Sequence, residues 1–280
     1  MFENYKATKK DFEAIEEGIK TVWHPKLNFV FKNKKFIKTV IVVSYDSKNL
    51  YLWSQIKFPK FTPVKCSLKQ YVAYKIPHQF KISDDYQYWW SAGLQPPELA
   101  RLLLSKLKID ESITPFISGG LLIPFITLQK KRKGRKNNPY TTHESYLATI
   151  VHEFGHVYYN SKVSLMYKSQ EAKEILMHAE ACYKGQQVTI SKLKIPSPID
   201  YNLSEVFAFC TDYQAATLFW PTHKKAIDKN ASFRIKNFLR KDLPIALFLN
   251  SHHFATIVGK LIFSAYPQRW PTKLLCPRYF

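Results

Sequence analysis

From Ser145 to Ser161 the chain runs through 17 residues whose one charged side chain is Glu153. Such a run reads as a helix whose few polar groups sit in an apolar collar, which a solvated face does not usually carry. Thr141 and Glu144 have capping-box spacing just before it, which marks where the helix starts. Further helices are expected over Ser169–Lys184, Leu203–Phe219, Ser232–Lys241 and Pro244–Ser264. The second half of the chain is therefore mainly helical.

The first half reads differently. Strand-like runs at Leu27–Phe31 and Phe36–Ser44 flank Lys32-Asn33-Lys34-Lys35, a hairpin-like turn, and Asn49–Trp53 follows a second turn at residues 45–48. Residues 58–90 are rich in Pro, Tyr and Lys and read as irregular with short strands. Pro97 opens a helix to about Leu107, and Leu121–Leu128 reads as a buried strand. Lys130–Asn138 is a basic loop. The expected fold class is α+β, with an N-terminal mixed part over residues 1–140 and a helical part over 141–280.

The chain has 280 residues, of which 46% are hydrophobic and 22% charged, so it is no disordered polymer. Its longest apolar stretch, Ile117–Leu128, is too short to span a bilayer. The charged N-terminus lacks the apolar core of a secretory signal. Four widely spaced cysteines read as free thiols, and the expected location is cytoplasmic. The net charge of +21 suits a polyanionic partner such as nucleic acid. Of the 42 basic residues 35 are Lys, however, and Lys scattered through every segment also describes a solvated surface. Trp89-Trp90 reads as core packing, with base stacking as the other use.

Within this helix, His152 and His156 are one turn apart and project from one face. Two imidazoles at that spacing can hold one Zn²⁺ ion. Glu153, next to the first, can reach a water on that ion without ligating it. Burying these groups in an apolar helix is costly unless something compensates. Gly155 costs the helix about 1 kcal/mol relative to Ala, which suggests a close backbone approach there.

A catalytic zinc needs a third protein ligand. Position 162 is Lys, so no third histidine follows at metzincin spacing. Glu205 opens an otherwise apolar segment, with the small Ala208 one turn on. The alternative is that Glu205 only caps its helix with Asn202. Asp212 is seven residues further on the same face, placed to orient a ligand histidine. His178, in the more charged helix between, is the competing third ligand. His252-His253 reads as a surface or core pair.

His152-Glu153-Phe154-Gly155-His156 and Glu205-Val206-Phe207-Ala208-Phe209 together resemble the gluzincin zinc metallopeptidases, closest to the lethal-factor and Pro-Pro endopeptidase group. The likeness covers roughly residues 141–241, including the Lys-rich segment 222–241. It implies a zincin-like helical part, with Zn²⁺ held by His152, His156 and Glu205, Glu153 as general base and then acid, and a peptide or protein substrate. The group also has a tyrosine that hydrogen-bonds the oxyanion. Pro198 stands at its spacing, and Tyr201 is the nearest tyrosine. The segment Leu121–Leu128 would be the upper-rim strand that pairs with substrate. Two readings compete: a SprT-like protease acting on nucleic-acid-bound proteins, in which His178 would be a ligand, and an inactive metal-binding module.

Overall fold

The computed structural model describes residues 5–79, 91–92, 105, 116–131, 139–163, 199–238 and 251–275. Helix α1 (Lys9–Val22) leads into two short 3₁₀ turns and the hairpin of β1 (Ile41–Tyr45) and β2 (Asn49–Ser54). Strands β3 (Thr62–Val64), β4 (Val72–Pro77), β5 (Ser91–Ala92) and β6 (Phe116–Gly119) complete a six-stranded sheet of order β3-β4-β2-β1-β6-β5. All neighbouring pairs are antiparallel except β1 and β6. The helices that follow are α2 (Leu122–Lys131), α3 (His143–Lys162), α4 (Ile199–Phe219), α5 (Pro221–Phe238), α6 (Ser251–Ala265) and α7 (Trp270–Leu275). The fold class is α+β. None of these helices is long and apolar enough to cross a membrane.

Strand alternation divides the sheet between two apolar clusters. Ile41, Val43, Leu50 and Leu52 point into one, which Phe58 and Phe61 partly cover. Val42 and Trp53 point into the other, which continues through α1, α3, α4 and α6 to Leu274. The N-terminal part thus shares a core with the helical part.

Helix α3 lies at the centre of that larger core. On one side, a Cβ added at Gly18 of α1 would lie 2.6 Å from Ile150 Cδ1. On the other, a Cβ added at Gly155 would lie 2.9 Å from the Ala208 Cα of α4. Two helices approach this closely only where side chains are missing from the contact. Helix α4 is held in turn by α5 and α6. Tyr213 donates to Asp228 Oδ1 at 2.6 Å, and Lys224 and Lys260 reach the same carboxylate at 2.6 Å each. Glu144 accepts a hydrogen bond from the backbone N–H of His223 at 3.0 Å, tying the start of α3 to the start of α5.

Several expected elements differ. Residues 27–31 are turns, and residues 36–39 form a 3₁₀ turn rather than the start of a strand. The aromatic spacing there serves packing, since Phe31 and Phe36 sit 5.4 and 4.7 Å from the Tyr158 ring of α3. The hairpin turn lies at residues 46–48. Asp46 Oδ1 accepts from the N–H groups of Lys48 and Asn49 at 2.8 and 2.7 Å, and its Oδ2 from Tyr51 and Ala7. Segment Leu121–Leu128 is not a strand but most of α2. Pro124 sits in its first turn, where the missing N–H costs nothing, whereas inside a sheet it would break the ladder. The strand of this region is β6, whose two edges are taken by β1 and β5. The substrate-pairing edge expected at Leu121–Leu128 is therefore absent. Helix α3 starts one residue later than expected: Thr142 is the N-cap and exchanges hydrogen bonds with Ser145 at 3.1 and 2.9 Å. Helix α5 is continuous through the expected Ser232 start. The helices expected at 97–107 and 169–184 lie outside the described residues, apart from residue 105.

Gly155→Ala is expected to destabilise the protein by about 1–3 kcal/mol in urea unfolding, because overpacking against the α4 backbone outweighs the better helix propensity. Asp46 gives a pH test. Burial alone would raise its carboxyl, but four hydrogen-bond donors hold it below the ordinary value of 3.8. Its stabilising effect is therefore complete above about pH 4 and lost as pH falls through the lower folded-state value. Asp46→Asn should cost about 2–3 kcal/mol at pH 7 and lose that part of the acid dependence.

Candidate metal centre

The approach of α3 and α4 at Gly155 brings three donors together. His152 and His156 project from α3 and Glu205 from α4, and their ligand atoms all lie within 4.8 Å of one another. The two Nε2 atoms are 3.1 Å apart. Glu205 Oε2 is 3.4 Å from His152 Nε2, and Oε1 is 3.5 Å from His156 Nε2. Bonds of about 2.0–2.1 Å to a tetrahedral ion place two ligand atoms about 3.3 Å apart. The observed spacings bracket that value.

The outer nitrogens are fixed. His152 Nδ1 lies 3.1 Å from Asp212 Oδ2, and His156 Nδ1 lies 2.7 Å from Ser204 Oγ. The Ser204 hydroxyl also points at Asn160 Oδ1, 3.4 Å away. If Ser204 gives its proton to Asn160, His156 Nδ1–H donates to Ser204, and His152 Nδ1–H donates to the Asp212 carboxylate. Each Nε2 is then left with its lone pair facing the other, as ligation of a cation requires.

The site also concentrates buried negative charge that needs a positive partner. Glu205 is 3% exposed and Asp212 fully buried. Burial pushes the Glu205 carboxyl up, but the imidazoles of His152, His156 and His252 beside it hold it well below the carboxylate range. Burial raises Asp212. His152 is pushed down by burial and pulled further up by Asp212 and Glu205, so it stands well above the imidazole range, while burial leaves His156 below it. Among the described residues, Glu205 Oε2 nevertheless accepts no aligned hydrogen bond, although it is buried. An anionic oxygen left in this state by three neighbouring imidazoles fits a cation among the donors. The residues present therefore fit a divalent metal ion.

The other expected residues are placed as follows. Glu153 is on α3 and 6% exposed. Asn202 and Glu205 lie inside α4, which begins at Ile199, so Glu205 does not cap its own helix. Tyr201 is in the first turn of α4, and its side chain, like all of His178, lies outside the described residues.

Sequence reasoning missed three groups. Ser204 is one, although its place beside Glu205 on a helix buried all round was a usable signal. His252 is the second: its Nδ1 comes 3.2 Å from Glu205 Oε2, from a half-exposed position at the start of α6. Tyr140 is the third. Burial and the nearby Asp212 and Glu205 raise its phenol, against the opposing pull of Arg234. Nothing local in the sequence marks either His252 or Tyr140.

No protein-family model matches this chain, no curated protein matches its sequence, and no solved structure matches its fold.

Asp212→Ala is expected to weaken divalent-metal affinity about 10- to 100-fold, because His152 loses the group that fixes its ring. Chelator competition on folded protein, checked by circular dichroism, measures it.

Proposed function

We propose that this chain is a zinc-dependent metallopeptidase of the gluzincin type, with a zincin-like helical part. The observation that carries the reading is the separation of 3.1–3.5 Å among His152, His156 and Glu205 in a buried site. Two nitrogens and one carboxylate suit Zn²⁺, and three protein ligands leave a coordination position open. When bound there, Zn²⁺ would acidify a water and polarise the carbonyl of the scissile bond.

The chain's own residues supply the rest. His152 and His156 bind through Nε2, held in that tautomer by Asp212 and Ser204. Glu205 binds from the facing helix. Glu153 stands beside a ligand without being one, and its carboxylate takes a proton from water and returns it to the leaving amine. Tyr201, one turn before Glu205 on α4, is the proposed donor to the developing oxyanion. The substrate is a peptide or protein.

Elemental analysis of the purified chain should find about one zinc per molecule. Glu153→Gln should keep the metal and abolish cleavage in a peptide-library digest. Glu205→Ala should lose the metal, and His178→Ala should keep it. Full zinc content in Glu205→Ala would overturn the ligand assignment, and cleavage by Glu153→Gln would overturn the mechanism.

A further inference from the structure

Residues 18–79 hold 12 lysines and a single carboxylate, Asp46. That carboxylate is 5% exposed, and both its oxygens accept hydrogen bonds, Oδ1 from the hairpin turn and Oδ2 from Tyr51 and Ala7. All the lysines except Lys34 are exposed. Within residues 18–79 no exposed carboxylate offsets this positive charge. It also contains no arginine, since Arg101 is the first in the chain. Lysine is a point charge suited to phosphate, whereas specific reading of bases in duplex DNA leans on bidentate arginine.

At one edge of the sheet this charge meets aromatic rings. Among the described residues, strand β3 is an outer strand, paired only with β4. The segment leading through it reads Lys57-Phe58-Pro59-Lys60-Phe61-Thr62-Pro63-Val64-Lys65, and Lys75 of β4 stands opposite Thr62. Phe58 and Phe61 are half-buried, packed with Tyr74 at ring separations of 5.7 and 6.3 Å. Among the described residues, none of these four lysines is in a salt bridge.

We propose that the β3 edge binds single-stranded nucleic acid without sequence preference. The lysines on either side of the strand neutralise backbone phosphates. The rims of Phe58 and Phe61 offer faces on which unpaired bases stack. A duplex keeps its bases stacked on one another and has no such face to give. None of these residues belongs to the metal centre, so the inference does not depend on the proposed activity.

The test is fluorescence anisotropy with the full-length protein and a labelled oligothymidylate of about 12 nucleotides, over a range of salt. A matching duplex and vesicles of phosphatidylcholine with phosphatidylserine serve as competitors. Binding to the single strand should exceed binding to the duplex and fall steeply with salt. Replacing Lys57, Lys60 and Lys65 together by Gln should flatten the log–log salt slope by about 2, at about 0.7 per phosphate contact. Phe61→Leu, which keeps an apolar group on the core, should weaken binding at least about fivefold and leave the slope unchanged. Glu205→Ala should bind like wild type. Four results would each overturn the proposal: no binding at low salt, equal or tighter binding to duplex, displacement by the vesicles at lower phosphate concentration than by unlabelled oligonucleotide, or a triple variant with unaltered slope.

Discussion

Everything distinctive in this molecule depends on how closely two helices approach at Gly155. A side chain there would meet the backbone of α4 at Ala208. Without one, α3 and α4 lie near enough for imidazoles on one to face a carboxylate on the other. Gly18 performs the same service where α1 crosses Ile150, and Gly259 where α6 crosses Phe209. The unfavourable helix propensity of these glycines is the local cost of a tightly layered bundle. The uncharged run of Ser145–Ser161 follows from the same geometry, because a helix touched on so many sides has little surface left for charge.

The buried carboxylates differ in how their oxygens are satisfied. Asp46 and Glu16 are structural, and each has donors on both oxygens: Asp46 in its turn, Glu16 from Trp53 Nε1 at 3.2 Å and Ser67 N at 2.9 Å. Glu205 and Asp212, like the capping Asp11, each keep an oxygen that accepts no aligned hydrogen bond from the described residues. A chain of net charge +21 places its lysines outside and leaves this inner pair to be balanced locally. A proton on His152 is one answer to that excess negative charge, and a divalent cation among the three donors is the other.

The His152–His156 pair and its helix were legible because a period of four on a helix is local geometry, and Asp212 because seven residues return to the same face. What brings α4 to α3 is not local, and Gly155 and Ala208 were its only trace in the sequence. His252 and Tyr140 left no trace, since each reaches the site through tertiary packing. The strand errors have a common origin. Apolar and aromatic density at Leu27–Phe31 and Leu121–Leu128 mimics a β-run, yet the first packs as turns against Tyr158 and the second as a helix entered through Pro124. Proline position and the Asx geometry of Asp46 were the better guides, because each acts on the backbone directly and not through burial.

The knot of Tyr213, Asp228, Lys224 and Lys260 ties together three helices, two of which, α4 and α6, carry groups at the metal centre. Its members are not equivalent. Either lysine can be lost while the other still holds the carboxylate, but Asp228 is the one acceptor they share with the tyrosine. Drift among descendants of this chain should therefore pass freely through one ammonium or the other and stall at the acid.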